Sequence, residues 1–197
     1  MFIVLEGLDG AGKSTQIKLL ENYFTARGRK NKFLHFPRFD APFFGEMIAK
    51  FLRGDFGKVN EVNPYIVALL YAEDRNDAAK QIRAWISDGY DVVVDRYVYS
   101  NIGYQCAKIE SENERNALRR WIFELEYNHF NIPKPDVSIF LDVPFAFTER
   151  KLHEARSGSD RNYLEGKTDI HEASLELQRN VRKIIWSSSR STTNSKL

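Results

Sequence analysis

The hydrophobic positions of this chain change period repeatedly, and the changes mark out alternating strands and helices. Phe2, Ile3, Val4 and Leu5 form a short unbroken apolar run, the pattern of a strand covered on both faces. Apolar residues then fall at Ile17, Leu20 and Phe24, with Lys18, Glu21 and Arg27 between them. That three-to-four spacing predicts a helix over 16–26, ended by Gly28. A second strand is predicted over 32–36 and stopped by Pro37. Strand, helix, strand in this order predicts a parallel sheet.

Further along, a short helix is predicted over 43–52 and a turn at 54–57. Asn63-Pro64 opens a long helix to about Ser87, apolar nearly all round in its first half and so expected to be covered on two sides. Val92, Val93 and Val94 predict a strand buried on both faces that delivers Asp95 at its C-terminal end. Helices follow over 97–108 and 112–130, a fourth strand over 137–141, a helix over 144–155 and a last helix over 171–186. The Gly-, Ser-, Asp- and Arg-rich stretch 156–166 reads as mobile. Residues 1–186 read as a single domain without internal repeats. The ending S-S-S-R-S-T-T-N-S-K-L, 187–197, has a composition that supports no packed element and reads as a disordered tail or a vector-derived addition.

Composition narrows the partners. Lys and Arg total 29 against 27 acids, a net charge of +2, so no bulk field argues for nucleic acid or an anionic membrane. No stretch approaches the ~18 apolar residues that would span a bilayer. The start of the chain lacks the pattern of a signal peptide, and the single Cys106 excludes an internal disulfide framework. A reducing compartment, most simply the cytoplasm, is expected. Cys106 itself reads as a small buried hydrophobe.

The chemistry concentrates after the first strand, in G-L-D-G-A-G-K-S-T at 7–15. Gly7, Gly12, Lys13 and Ser14 fit G-x-x-x-x-G-K-[ST]. In such a loop the amides from Gly7 through Asp9, Gly10, Ala11 and Gly12 to Thr15 can wrap a polyphosphate, helped by the helix N-terminus. Lys13 would reach the β and γ phosphates and the Ser14 hydroxyl would hold magnesium. Asp9 reads equally as a metal or donor partner and as a solvated loop acid. Asp95 suits a metal-holding strand-end acid or a helix cap, and Arg96 beside it favours the first. Arg38 points to the same sheet edge, and two arginines there suggest a second phosphorylated ligand, hence transfer rather than hydrolysis. Tyr71 and Arg75 share a helix face, so a ring and a guanidinium could stack a flat base and bond its edge; alone, the pair reads as a core tyrosine beside a surface arginine. Arg150, Arg156 and Arg161 surround the mobile stretch, where a closing lid would bring positive charge to a transferring phosphoryl group.

Taken in order, these motifs resemble thymidylate kinases. The resemblance rests on 7–15, then F-P-R at 36–38, L-L-Y-A-E-D-R at 69–75, D-R-Y-V-Y-S-N-I-G-Y-Q at 95–105, K-P-D at 134–136 and the stretch 156–163. It implies an α/β, P-loop NTPase fold of three α/β/α layers around a parallel sheet, five-stranded in the family and here expected to have four strands, with a short lid at about 150–165. It implies a homodimer that uses ATP and Mg2+ to phosphorylate dTMP. Carried over, Arg38 and Arg96 hold the 5′-phosphate and Asp9 lies near the sugar and phosphate. Phe36 lines the base pocket, with Phe36-Pro37 of the kind that forms a cis peptide, and Tyr71 stacks on thymine. Arg75 bonds O4, Asn101 meets the N3 edge, and Tyr104 packs where a 2′-hydroxyl would sit. Asp9, Lys13, Asp95, Arg96, Arg156 and Arg161 are the catalytic candidates, with Ser14, Asp9 and Asp95 for metal. Gly10 stands where some members carry a catalytic arginine, which moves that role to Arg156 or Arg161. Competing readings are a kinase for another deoxynucleoside or its monophosphate, and a truncated nucleotide-binding module of weak activity.

Overall fold

The computed structural model describes residues 1–153 and 159–193, with side chains to 153 and over 161–188. Four strands form one sheet: β1 (Phe2–Glu6), β2 (Asn31–His35), β3 (Asp91–Asp95) and β4 (Val137–Phe140), in the order β2-β3-β1-β4. Every pairing is parallel, and the register sets Leu5 and His35 both opposite Asp95. The chain therefore leaves β1, β2 and β3 at one level, which delivers the Gly-rich loop, Phe36–Arg38 and Arg96 to a common edge.

Because side chains alternate across a strand, β1 and β3 feed two cores. Ile3, Leu5 and Val93 pack with Ile17 and Phe24 of α1 (Lys13–Ala26) on one face. Phe2, Val4, Val92 and Val94 pack on the other with α3 (Pro64–Ser87), α4 (Val98–Cys106) and α5 (Glu112–Phe123). α2 (Phe44–Leu52) covers α3 through Ile48, Phe51, Leu52 and Val67. α6 (Phe145–His153) follows β4, and α7 (Leu175–Thr193) lies on α4 through Val181 and Ile185. Asn63 caps α3 by accepting the Tyr65 N–H at 2.9 Å, with Pro64 in the first turn. Cys106 is buried, and burial pushes its thiol up to about 12, as a small hydrophobe rather than a nucleophile would show.

Within one chain the apolar first half of α3 buries Val67, Ala68 and Ala72 and leaves Ile66 and Leu69 exposed. Three expectations change. The helix expected over 112–130 widens at Glu124 into a π-helical segment to His129. Part of the stretch expected to be mobile is docked: Ser159–Leu164 is a 3-10 turn whose Tyr163 ring stacks on Phe39 at 3.6 Å. The Ser-rich ending is not without structure, since α7 continues to Thr193. Its buried face runs Val181, Ile185, Ser188 at helical spacing, and the small Ser188 fills the next position of that stripe. Residues 194–197 lie outside the described residues. Among the described residues no helix is long and apolar enough to cross a membrane.

The α4–α7 contact is tight at Gly103, where a Cβ would come within 2.5 Å of Ile185 Cγ1. Gly103→Ala is expected to lose about 1–3 kcal/mol in denaturant unfolding, and to lose less in an Ile185→Ala background, which lacks the Cγ1 that the new Cβ would meet.

Candidate active site

At the common sheet edge lies a cleft of about 1430 Å³. Its floor is the loop after β1. Gly7 and Gly12 hold φ values of +155° and +87°, and a Cβ on Gly7 would sit 3.3 Å from Leu141 O, so glycine serves both backbone and space there. Lys13 is buried and donates to Gly7 O at 3.3 Å and Leu8 O at 3.1 Å. Burial, with Arg96 nearby, lowers its pKa. Asp95 stands 3.8 Å from the Lys13 ammonium and 3.2 Å from the His35 ring. Burial pushes its carboxyl up, but Lys13, His35 and Arg96 outweigh burial and hold it below the usual range. Asp95 Oδ1 is buried without a hydrogen-bond partner. Ser14, Thr15 and Gly10 line the same cleft.

Arg96 takes a left-handed backbone, φ +66°, which turns its side chain back over the loop. Buried Glu6 secures that turn: it accepts the Tyr97 N–H at 3.0 Å and the Ser100 hydroxyl, and Ser100 Oγ accepts Arg96 Nη1 at 3.1 Å. Arg96 Nη2 donates to Asp9 Oδ1 at 2.7 Å, while Asp9 Oδ2 accepts from Tyr104 Oη at 2.6 Å and Gln178 Nε2 at 3.1 Å. Asp9 therefore ties the loop to α4 and α7. Behind Tyr104, Lys108 donates to Gln105 Oε1 at 2.7 Å and lies over the Phe51 ring; burial lowers its pKa to about 7.

The far end of the cleft is built on a buried ion pair. Arg75, 1% exposed, donates Nε and Nη2 to Glu126 at 2.5 and 2.8 Å. Asn101 Nδ2 donates to Glu126 Oε1 and to Ala68 O, both at 3.0 Å, and its Oδ1 is buried without a partner. Phe36 lies below, across a cis bond to Pro37. Arg38 is clamped through Nε to Asp74 at 2.8 Å and through Nη2 to Asp77 at 2.6 Å. Tyr71 lines the same end.

On the lid side, Arg161 makes two bonds to Glu172, at 3.0 and 2.8 Å. Tyr163 Oη donates to Asp169 at 2.8 Å. Burial, with Asp9 adding to it, raises Asp169 to about 7. Lys151 and Phe147 of α6 line the cleft. Arg156 lies outside the described residues.

One cleft thus joins a phosphate loop to a wall of buried arginines and an unpaired amide oxygen. The family model for thymidylate kinase matches residues 5–196. The chain belongs to the thymidylate kinase family. The thymidylate kinase of Mycobacterium tuberculosis is 35% identical over 180 residues, 90% of this chain and 80% of that one. A probable thymidylate kinase of Thermococcus kodakarensis is 35% identical over 188 residues, 93% and 81% of the two chains. The solved thymidylate kinase of Candida albicans has the same fold, with a TM-score of 0.69 at 24% identity over 94% of this chain and 76% of that one. Thymidylate kinases are ATP-dependent nucleoside monophosphate kinases, and this chain is accordingly a phosphotransferase.

The cleft of this thymidylate kinase family member is lined by most of the expected residues that are described, Asp9, Gly10 and Gly12 to Thr15 of the loop with Phe36, Arg38, Tyr71, Arg75, Asp95, Arg96, Asn101, Tyr104 and Arg161, whereas Gly7, Ala11 and Arg150 do not line it. Sequence reasoning missed the acids and amides that hold them: Glu6, Asp74, Asp77, Glu126 and Gln178. Asp74 alone carried a signal, as the neighbour of Arg75 inside L-L-Y-A-E-D-R.

Removing one partner of the buried pair leaves an uncompensated charge, so Glu126→Ala is expected to lose about 3–5 kcal/mol in denaturant unfolding. Lys108 gives a pH signature. The unfolded chain keeps this proton to an ordinary 10.5, the folded chain only to about 7, so stability rises between those pH values. Lys108→Met should flatten that part of a plot of Tm against pH.

Proposed function

We propose that this chain transfers the γ-phosphate of ATP to dTMP, with the triphosphate on the loop 7–15 and the thymine at the Arg75–Asn101 end of the cleft. The observation that carries the base assignment is Asn101. Its Nδ2 is spent on two acceptors, which fixes the amide and leaves a buried Oδ1 that requires a donor. Thymine offers N3–H in that place; cytosine offers a second acceptor and would leave two lone pairs opposed. Glu126 takes Nε and Nη2 of Arg75, and Nη1 is the donor assigned to the thymine O4. Tyr71 and Phe36 supply faces for the ring, and Tyr104 occupies the place of a 2′-hydroxyl.

Arg96 and the Nη1 of Arg38 are assigned to the 5′-phosphate, each aimed by acids that hold its other nitrogens. Asp9 positions Arg96 and Tyr104. An oxygen of the acceptor phosphate attacks the γ-phosphorus in line, while Lys13 and a lid arginine, Arg161 or Arg156, offset charge on the transferring group. The residues fit magnesium: Asp95 has a buried oxygen without a hydrogen-bond partner, and the Ser14 hydroxyl group belongs to a residue that lines the same cleft. When bound, the ion would neutralise charge between the phosphates. Among the described residues no group of three His, Cys, Asp or Glu could hold an ion alone, so phosphate and water would supply its other ligands. Exposed Ile66 and Leu69 on α3 support a homodimer through that helix. A cytoplasmic setting goes with a lone buried cysteine.

Thermal unfolding with added nucleotides tests the assignment: dTMP should raise Tm more than dCMP or GMP at equal concentration. In a coupled assay Arg75→Ala should lower kcat/KM for dTMP by roughly 10- to 200-fold, the loss expected of one charge-assisted bond. Full turnover by Arg75→Ala would overturn the base site.

A further inference from the structure

Tyr104 is anchored by its hydroxyl, to Asp9 at 2.6 Å and Gln178 at 3.3 Å. An anchor at the phenol end does not by itself set the rotation of the ring about its long axis. Leu8, Ala11, Leu177, Val181 and Ile185 form the apolar cluster that encloses the ring, and its face meets a parallel neighbour. The His171 ring lies parallel to Tyr104, with 4.7 Å between centroids and 19° between planes, and the Arg96 guanidinium lies over the Tyr104 ring. His171 is itself held through its backbone and by one ring. Its N–H donates to Asp169 Oδ1 at 2.7 Å, its carbonyl accepts Gln178 Nε2 at 3.1 Å, and Phe51 meets its ring edge-on at 5.3 Å. Its Nε2 is buried without a hydrogen-bond partner, and His171 lines the cleft. The imidazole thus acts through its face. Burial, with Lys108 nearby, lowers its pKa well below the usual value, so the plate is uncharged at neutral pH.

We infer that His171 is a specificity-determining positioning residue, a plate that fixes the plane of Tyr104 and thereby sets the discrimination between deoxyribose and ribose acceptors. This rests on the reading of Tyr104 as the residue in the place of a 2′-hydroxyl. A tilted Tyr104 ring opens that place without removing any group that touches the base or the phosphate. The effect therefore falls on the choice of sugar rather than on turnover of the deoxy substrate.

The measured quantity is the ratio of kcat/KM for dTMP to that for 5-methyluridine 5′-monophosphate, which differs only by the 2′-hydroxyl. Both values come from one preparation, so loss of folded enzyme lowers them equally and leaves the ratio unmoved. His171→Ala should reduce the ratio by about tenfold or more, within the range one hydroxyl can command in a fitted site. His171→Phe, which restores a flat ring, should keep it within about threefold of the parent. Tyr104→Ala separates the two layers of the inference. A reduced ratio in Tyr104→Ala with an unchanged ratio in His171→Ala overturns the plate. An unchanged ratio in Tyr104→Ala overturns the reading of Tyr104 on which it stands. A fall in His171→Phe equal to that in His171→Ala overturns the role of the ring face.

Discussion

Lys13, Arg75 and Arg96 are all buried around one cleft, and a buried cation is tolerated only where acids and acceptors compensate it. Much of the site follows from that constraint. Arg75 draws Glu126 in from the π-helical segment after α5, and Glu126 in turn fixes the amide of Asn101. Arg96 is held between Asp9 in the loop and Ser100 on α4, and Ser100 rests on Glu6 at the end of β1. Lys13 leans on Asp95 across the neighbouring strand. The pairs join elements far apart in the chain, so the charges that face the cleft also fasten the elements that carry them. The other cleft arginines are handled likewise, Arg38 by Asp74 and Asp77 and Arg161 by Glu172.

What could be read from the sequence was local or periodic. The run 2–5, the valines of β3 and the spacing of Ile17 and Phe24 fix strands and helices because each pattern repeats within a few residues. Gly7, Gly12 and Lys13 announce a phosphate loop because backbone geometry requires them at those intervals. Gln178 could not be read in the same way: its bond to Asp9 spans 169 positions, and no pattern near either residue points to the other. Glu126 is one acid among several on an amphipathic helix, distinguished only by the guanidinium that folding brings to it. The C-terminal segment misled through composition, since its serines mask the stripe Val181, Ile185, Ser188 that seats α7 on the rest of the molecule. At the lid the Gly- and Ser-rich stretch concealed a tyrosine with a ring to stack on and a carboxylate to bond.

The placement of the cleft has a simple origin. Parallel strands in register end together, and what emerges from each becomes a neighbour of the others. A donor loop after β1, an arginine after β3 and a Phe-Pro-Arg turn after β2 are thereby brought to one edge, which a transfer between two phosphates needs. The chain belongs to the thymidylate kinase family, and in the proposed assignment the unpaired oxygen of Asn101 supplies a preference among bases.

Lys13 brings a consequence of a different kind. Its ammonium donates to the carbonyls of Gly7 and Leu8, so the loop is laced to its own lysine. In the proposed assignment, binding of phosphates is an exchange in which the ammonium leaves two neutral oxygens for charged ones. A loop held in place by its own lysine has less ordering entropy to lose on binding. The net gain is the difference between the two sets of partners, and it grows with the charge delivered. A chain of three phosphates profits from that exchange, whereas a single small anion has little with which to displace the carbonyls.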